Sequence, residues 1–203
     1  HQFPNRRCDA FADPGISRQI RIRAHQLLEA FRKAPDGFRG APVRLDLVRI
    51  LLLSRKELGE AHQPVRNVSV AEAGIARDEV YITNAVKHFR WIQRGKRRLH
   101  QKPAIRQIMA CKPWLESEMA SIHPKLVVCL GATAAQSILG RVMPIGQARG
   151  KFLNGQRGET VFITIHPSAI FRQREKSERE QEYRRFVADM QMVERKLRGM
   201  AAA

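Results

Sequence analysis

Leu126-Val127-Val128-Cys129-Leu130-Gly131-Ala132-Thr133-Ala134-Ala135 reads as a strand, a turn and a helix in immediate succession. Five unbroken apolar residues suit a strand buried on both faces, as in a parallel sheet. The glycine lets the chain bend sharply into the small residues of Ala132 to Leu139. Cys129 lies inside the apolar run and is expected to be inert packing. Upstream, Glu79-Val80-Tyr81-Ile82-Thr83-Asn84 is β-branched and aromatic and presents Asn84 at its end. Downstream, Thr160 to Ile165 is a similar run that ends at His166-Pro167-Ser168, and Val43 to Leu53 supplies a further buried strand.

Helical stripes fall between and around these runs. Ile16, Ile20, Ala24, Leu27, Leu28 and Phe31 share one face, and a Pro- and Gly-rich loop follows from Lys33 to Ala41. A short helix is expected from Val70 to Ala73. Pro103 opens a longer one through Ile105, Ile108, Met109, Leu115, Met119 and Ile122, with a break at Pro113. A final amphipathic helix from Lys176 to Leu197 buries Phe186, Met190, Val193 and Leu197. Strands alternating with helices predict an α/β fold, with a parallel central sheet of about four strands and helices on both faces. In such sheets functional groups gather at the carboxyl ends of the strands, where Asn84 and His166 both fall. The 203 residues suffice for one core, and a single domain over 1–203 is expected.

Lys and Arg number 37 against 19 Asp and Glu, a formal charge of +18, and that field attracts polyanions, nucleic acid first among them. Compositional drift toward Arg would raise the total too, but would not cluster it. Arg90, Arg94, Lys96, Arg97, Arg98, Lys102 and Arg106 crowd one segment without an acidic residue, as a phosphate-facing loop would. The run from Arg172 to Arg185 is instead interleaved with Glu175, Glu178, Glu180 and Glu182, the pattern of a solvated helix face. Apolar runs such as Val48 to Leu53 fall far short of the roughly 20 residues that a membrane-spanning helix needs. The opening His1-Gln2-Phe3-Pro4 has no initiator Met and no charged head before an apolar stretch, so no signal peptide is expected; it also suits a chain that has lost its true start. Cys8, Cys111 and Cys129 are odd in number and without disulfide-like spacing, which fits a reducing cytoplasm.

Three elements carry chemistry: an Asn that ends one strand, a His-Pro-Ser that ends another, and the loop Lys96-Arg97-Arg98-Leu99-His100 between them. An Asn amide sets a donor beside an acceptor and can pair with a pyrimidine edge, while a strand-end His can donate to a carbonyl oxygen. Singly, each is as well explained by a turn or a structural hydrogen bond. Together they can grip one extruded base.

Val80 to Phe89, Gly95 to His100, Ala110-Cys111-Lys112-Pro113-Trp114-Leu115, Leu130 to Ala135, and His166-Pro167-Ser168 with Arg172 resemble, in order and spacing, the UdgX-type, family 4-like branch of the uracil-DNA glycosylase superfamily. The likeness covers the chain from about Val70 onward, and the Lys-Arg-Arg-aliphatic-His loop is its most specific part. It implies a three-layer α/β fold and a base-excision DNA repair enzyme that removes uracil from DNA, single-stranded or with the base flipped from a duplex, acting as a monomer. On this resemblance Asn84 reads the uracil edge, His166 stabilises charge at its O2, and His100 is the nucleophile that becomes joined to C1′ of the sugar. Lys96, Arg97 and Arg98, with Arg172, hold phosphates, and the first three also disfavour protonation of His100. Ser168 belongs to the loop that presses in as the base leaves. The resemblance further implies a [4Fe-4S] cluster: Cys8, His88 and Cys111 fall at three ligand places, and Asn5, a poor ligand for iron, at the fourth.

The chain departs from that pattern upstream. A Gly-Glu-x-Pro-Gly motif belongs near the end of the first core strand, in the region of Ala41 to Ser54, and is absent there; Gly59-Glu60-Ala61 echoes only its beginning. Residues 1–69 therefore read as diverged or frame-disturbed and residues 70–200 as family-like. Two other functions stay open: an inactive relative that serves as a basic DNA-binding module, and an ordinary hydrolytic glycosylase of the family 4 type, against which the Lys96 to His100 loop speaks.

Overall fold

The computed structural model describes residues 50–54, 69–87, 91–95 and 97–202, and within them the sheet is built around the strand read first. We number the strands β1 (Ile50–Ser54), β2 (Val80–Asn84), β3 (Trp91–Arg94), β4 (Arg97–His100), β5 (Leu126–Leu130), β6 (Phe152–Asn154) and β7 (Thr160–Thr164). The helices are α1 (Ile105–Ile122), α2 (Ala132–Leu139), α3 (Ile145–Ala148) and α4 (Lys176–Ala201). Besides these there are a helical turn over residues 69–72 and two 3-10 segments, Arg77–Glu79 and Pro167–Arg172. The helix expected over Ile16 to Phe31 and the loop after it lie outside the described residues.

The chain divides into two compact units. The larger holds β1, β2 and everything from Pro124 onward. Its five strands run in the order β2-β1-β5-β7-β6, the first four mutually parallel. The fifth, β6, pairs antiparallel with β7 in the register Phe152↔Phe162, so the expected parallel sheet gains an antiparallel edge and is mixed. Asn154-Gly155 begins the connection, whose ends are closed by the Gly155 N–H on the Glu159 carbonyl at 2.8 Å.

Alternation along the strands explains why the apolar runs are continuous. Leu126, Val128, Leu130 and Phe162 face one way and pack with Val80 and with the α4 stripe Phe186, Met190, Val193 and Leu197. Val127, Cys129, Val161 and Ile163 face the other way and are equally inaccessible. The helix α2 packs against β5 and β1. Burial and the nearby charge of Glu159 push the Cys129 thiol up, in keeping with inert packing. Phe186 is 1% exposed at the middle of the stripe. Phe186→Ala is expected to lower the stability of the chain by about 3–5 kcal/mol in a urea titration, with the slope unchanged.

The smaller unit contains Ala85–His123. The stretch from Lys96 to His100, read as a loop, is here largely a strand: β3 and β4 pair as an antiparallel hairpin in the register Trp91↔His100, Ile92↔Leu99, Gln93↔Arg98 and Arg94↔Arg97. Gly95, at φ +58, supplies the left-handed backbone where the chain reverses. The break expected at Pro113 does not occur, and α1 runs through it. Proline removes the donor owed to the carbonyl of Met109, a residue on the exposed side of the helix, where that carbonyl can turn toward solvent. Ile108, Cys111 and Val86 form the small core of this unit.

Candidate functional site

The strand order reverses direction beside β1: the chain passes from β1 to β2 on one side, then returns to β5 on the other. Such a switch point leaves a crevice at the carboxyl ends of the strands. The last residues there are Asn84, Ser54, Leu130 and Thr164, side by side across β2, β1, β5 and β7. His166 follows Thr164 by two residues. Asn84 and the His166 segment thus stand on the same edge, separated by about 14 Å of backbone at about 4.8 Å per strand.

His166 is held by its own loop. As the residue before the 3-10 segment, it accepts the Ser168 backbone N–H on Nδ1 at 3.1 Å, and the Ser168 hydroxyl lies 2.8 Å from the same nitrogen. An N–H can only donate, so Nδ1 carries the lone pair and the ring proton sits on Nε2. The imidazole is thereby turned so that Nε2 is its donor. Gly131, between β5 and α2, lies against the same residue: its φ is +90, and a side-chain carbon there would meet His166 Cβ at 3.3 Å. Its N–H donates to the Thr164 carbonyl at 2.9 Å, which ties the two strand ends together.

Beneath the His166 loop lies a charged network that the sequence reading missed. Thr164 Oγ1 donates to Asp189 Oδ2 at 2.6 Å, Arg149 Nε donates to the same oxygen at 2.8 Å, and Arg149 Nη1 reaches Glu182. Burial alone would push the Arg149 guanidinium down, but its hydrogen bonds to Glu182 and Asp189 and their charges outweigh burial and hold it above its ordinary value. The signal was in the sequence: Asp189 adjoins Met190 on the apolar stripe of α4, and an acid there needs a buried partner. Glu182, read as part of a solvated face, belongs to this network, while Lys176 and Glu180 pair at 3.9 Å on the exposed side as expected. Asp189→Ala removes two bonds and leaves Arg149 short of a counter-charge. A loss of about 3 kcal/mol is expected in chemical denaturation, against a much smaller loss for the outward Glu180→Ala.

A model of the uracil DNA glycosylase superfamily matches residues 23–191. The chain belongs to that superfamily. Among curated members, it is 33% identical over 104 residues to a type-4 uracil-DNA glycosylase of Thermotoga maritima, covering 51% of this chain and 50% of that one. It is 31% identical over 104 residues to a type-4 uracil-DNA glycosylase of Saccharolobus solfataricus (47% and 44%), and 30% identical over 95 residues to a type-5 uracil-DNA glycosylase of Pyrobaculum aerophilum (45% and 37%). The chain thus spans half or less of the length of these relatives. Its likeness to the type-4 members agrees with the family 4-like branch inferred from the motifs.

The remaining residues anticipated for a uracil-DNA glycosylase superfamily site fall as follows. Arg172 closes the 3-10 segment and is exposed. Arg97, Arg98 and His100 lie on β4, in the smaller unit, while Asn84, His166 and Ser168 belong to the larger. Lys96, Asn5, Cys8 and His88 lie outside the described residues. Cys111 is 1% exposed within α1, and its Sγ accepts the Lys87 N–H at 3.3 Å. Among the described residues no three His, Cys, Asp or Glu side chains converge as a metal group would require. No described helix is long and apolar enough to cross a membrane.

Proposed function

We propose that the chain is a uracil-DNA glycosylase of the UdgX type, which breaks the bond between uracil and C1′ of a flipped deoxyuridine in DNA and leaves the sugar joined to His100. Asn84 pairs with the edge of the base, and His166 donates from Nε2 to O2 as negative charge develops there. The electron pair of the broken bond leaves with uracil, which takes a proton from solvent. C1′ gains a bond to a ring nitrogen of neutral His100, whose ring becomes a substituted imidazolium. Lys96, Arg97, Arg98 and Arg172 hold the flanking phosphates, and Ser168 keeps His166 in the donor tautomer. What supports this reading most is the His166 ring, with Nδ1 turned to the Ser168 amide on the sheet edge that also ends in Asn84. Residues 1–203 act as one domain of the superfamily, monomeric and cytoplasmic.

The residues also suit a [4Fe-4S] cluster in part. The Lys87 amide on Cys111 Sγ is the kind of bond that a ligating thiolate accepts, and it brings the residue before His88 against Cys111. Cys8, His88 and Cys111 would hold the cluster, with Asn5 at the fourth place. A bound cluster would fasten three distant segments together and need take no part in bond cleavage.

Incubation of the chain with uracil-containing single-stranded DNA tests the function. A protein-DNA adduct that survives a denaturing gel is expected, with one uracil freed per adduct. Free uracil without adduct would establish the hydrolytic reading that the type-4 relatives favour. Neither product, with binding that weakens steeply in salt, would leave a DNA-binding module.

A further inference from the structure

Four of the six large apolar residues exposed among the described residues lie in one short stretch of the smaller unit: Ile92 (49%), Leu99 (36%), Ile105 (55%) and Met109 (53%). Ile92 and Leu99 are cross-strand partners on the β3–β4 hairpin, so their side chains adjoin and form one patch. Ile105 and Met109 are one helical turn apart on α1 and form a second. The same stretch is purely cationic. No acidic residue occurs between Glu79 and Glu116, while Arg94, Lys102 and Arg106 are exposed beside the apolar pairs. Scattered apolar residues on a surface need no explanation, but paired ones on an uninterrupted positive field do. A protein partner with a mixed rim would meet repulsion from so many like charges. An anionic backbone carrying flat apolar faces satisfies both features.

We infer that the β3–β4 hairpin is a platform for unpaired bases of single-stranded DNA, with Ile92 and Leu99 covering base faces while the neighbouring cations take the phosphates. This rests on the proposed DNA substrate and adds to it a base-contacting surface outside the Asn84 and His166 edge. In a duplex the base faces are stacked on one another, and two aliphatic side chains reach them only by unstacking a step. An unpaired strand offers them without that cost.

The test compares a thymidine oligonucleotide, free of uracil, with an abasic oligomer of equal phosphate number, by fluorescence anisotropy over a salt series. The wild-type chain is expected to bind the thymidine strand about tenfold more tightly than the abasic one. The double variant Ile92→Ser, Leu99→Ser should bind both alike, at the wild-type abasic affinity and with the wild-type salt slope, since no charge is removed. Arg94→Ala should weaken both oligomers equally and flatten the slope. Equal wild-type affinity for the two oligomers overturns the inference without any variant. So does a double variant that retains the preference, or one that loses only the ability to sediment with phosphatidylserine vesicles. Because no uracil is present, base-dependent binding can persist when uracil release and adduct formation both fail.

Discussion

The His100→Ala chain is expected to form no denaturation-resistant adduct with uracil-containing single-stranded DNA under conditions in which the wild-type chain converts nearly all of a limiting substrate. The loss is complete because alanine offers no nitrogen for C1′ to bond. What happens to uracil release then dates the attack. If the imidazole bonds to C1′ while the base is leaving, release falls with the adduct, by about a hundredfold or more, as for other removed nucleophiles. If the base departs first and the histidine only traps the sugar cation, water takes its place and free uracil still accumulates. A His100→Ala chain that forms the adduct as fast as wild type would remove His100 from the mechanism. His100 lies on the two-stranded β3–β4 hairpin rather than in the main sheet, and an unchanged circular-dichroism spectrum of the variant is the accompanying control.

His166→Ala is expected to slow uracil release by about a hundredfold to a thousandfold in single-turnover measurements, the usual consequence of deleting one donor aimed at developing negative charge. The companion variant Ser168→Ala separates the ring from its support. It removes the hydroxyl beside Nδ1 but keeps the backbone N–H, and that N–H is what holds the lone pair inward and the proton on Nε2. A loss of about tenfold or less is expected for it. A His166→Ala chain within threefold of wild type would show that O2 is stabilised by another group. Comparable losses in the two variants would mean that the hydroxyl, not the amide, sets the tautomer.

The central elements were legible because their patterns are local. Leu126–Leu130 and Ala132–Leu139 fall where the apolar run, the glycine and the small residues put them. The α4 stripe of Phe186, Met190, Val193 and Leu197 is likewise buried as its spacing predicts. β6 was not legible, since three residues cannot display a period and its pairing with β7 depends on a partner several residues away. The hairpin at Arg94 and Arg97 was hidden by its charges: long cationic side chains carry a poor strand signal, and only cross-strand pairing holds them extended. The run through Pro113 escaped because the local penalty of a proline is outweighed by packing on both sides of it, where Ile108, Cys111, Leu115 and Met119 are buried.

By itself the amino-acid order determined the α/β class, the two strand ends that carry Asn84 and His166, and the superfamily, all of which rest on side-chain type and spacing along one segment at a time. Tertiary structure alone decided the strand order that puts those ends on a common edge and the network that joins Thr164, Asp189, Arg149 and Glu182. The physical reason is range. Periodicity and turn chemistry act over a few neighbours, whereas Arg149 meets an acid 40 residues away only after β7 and α4 have packed.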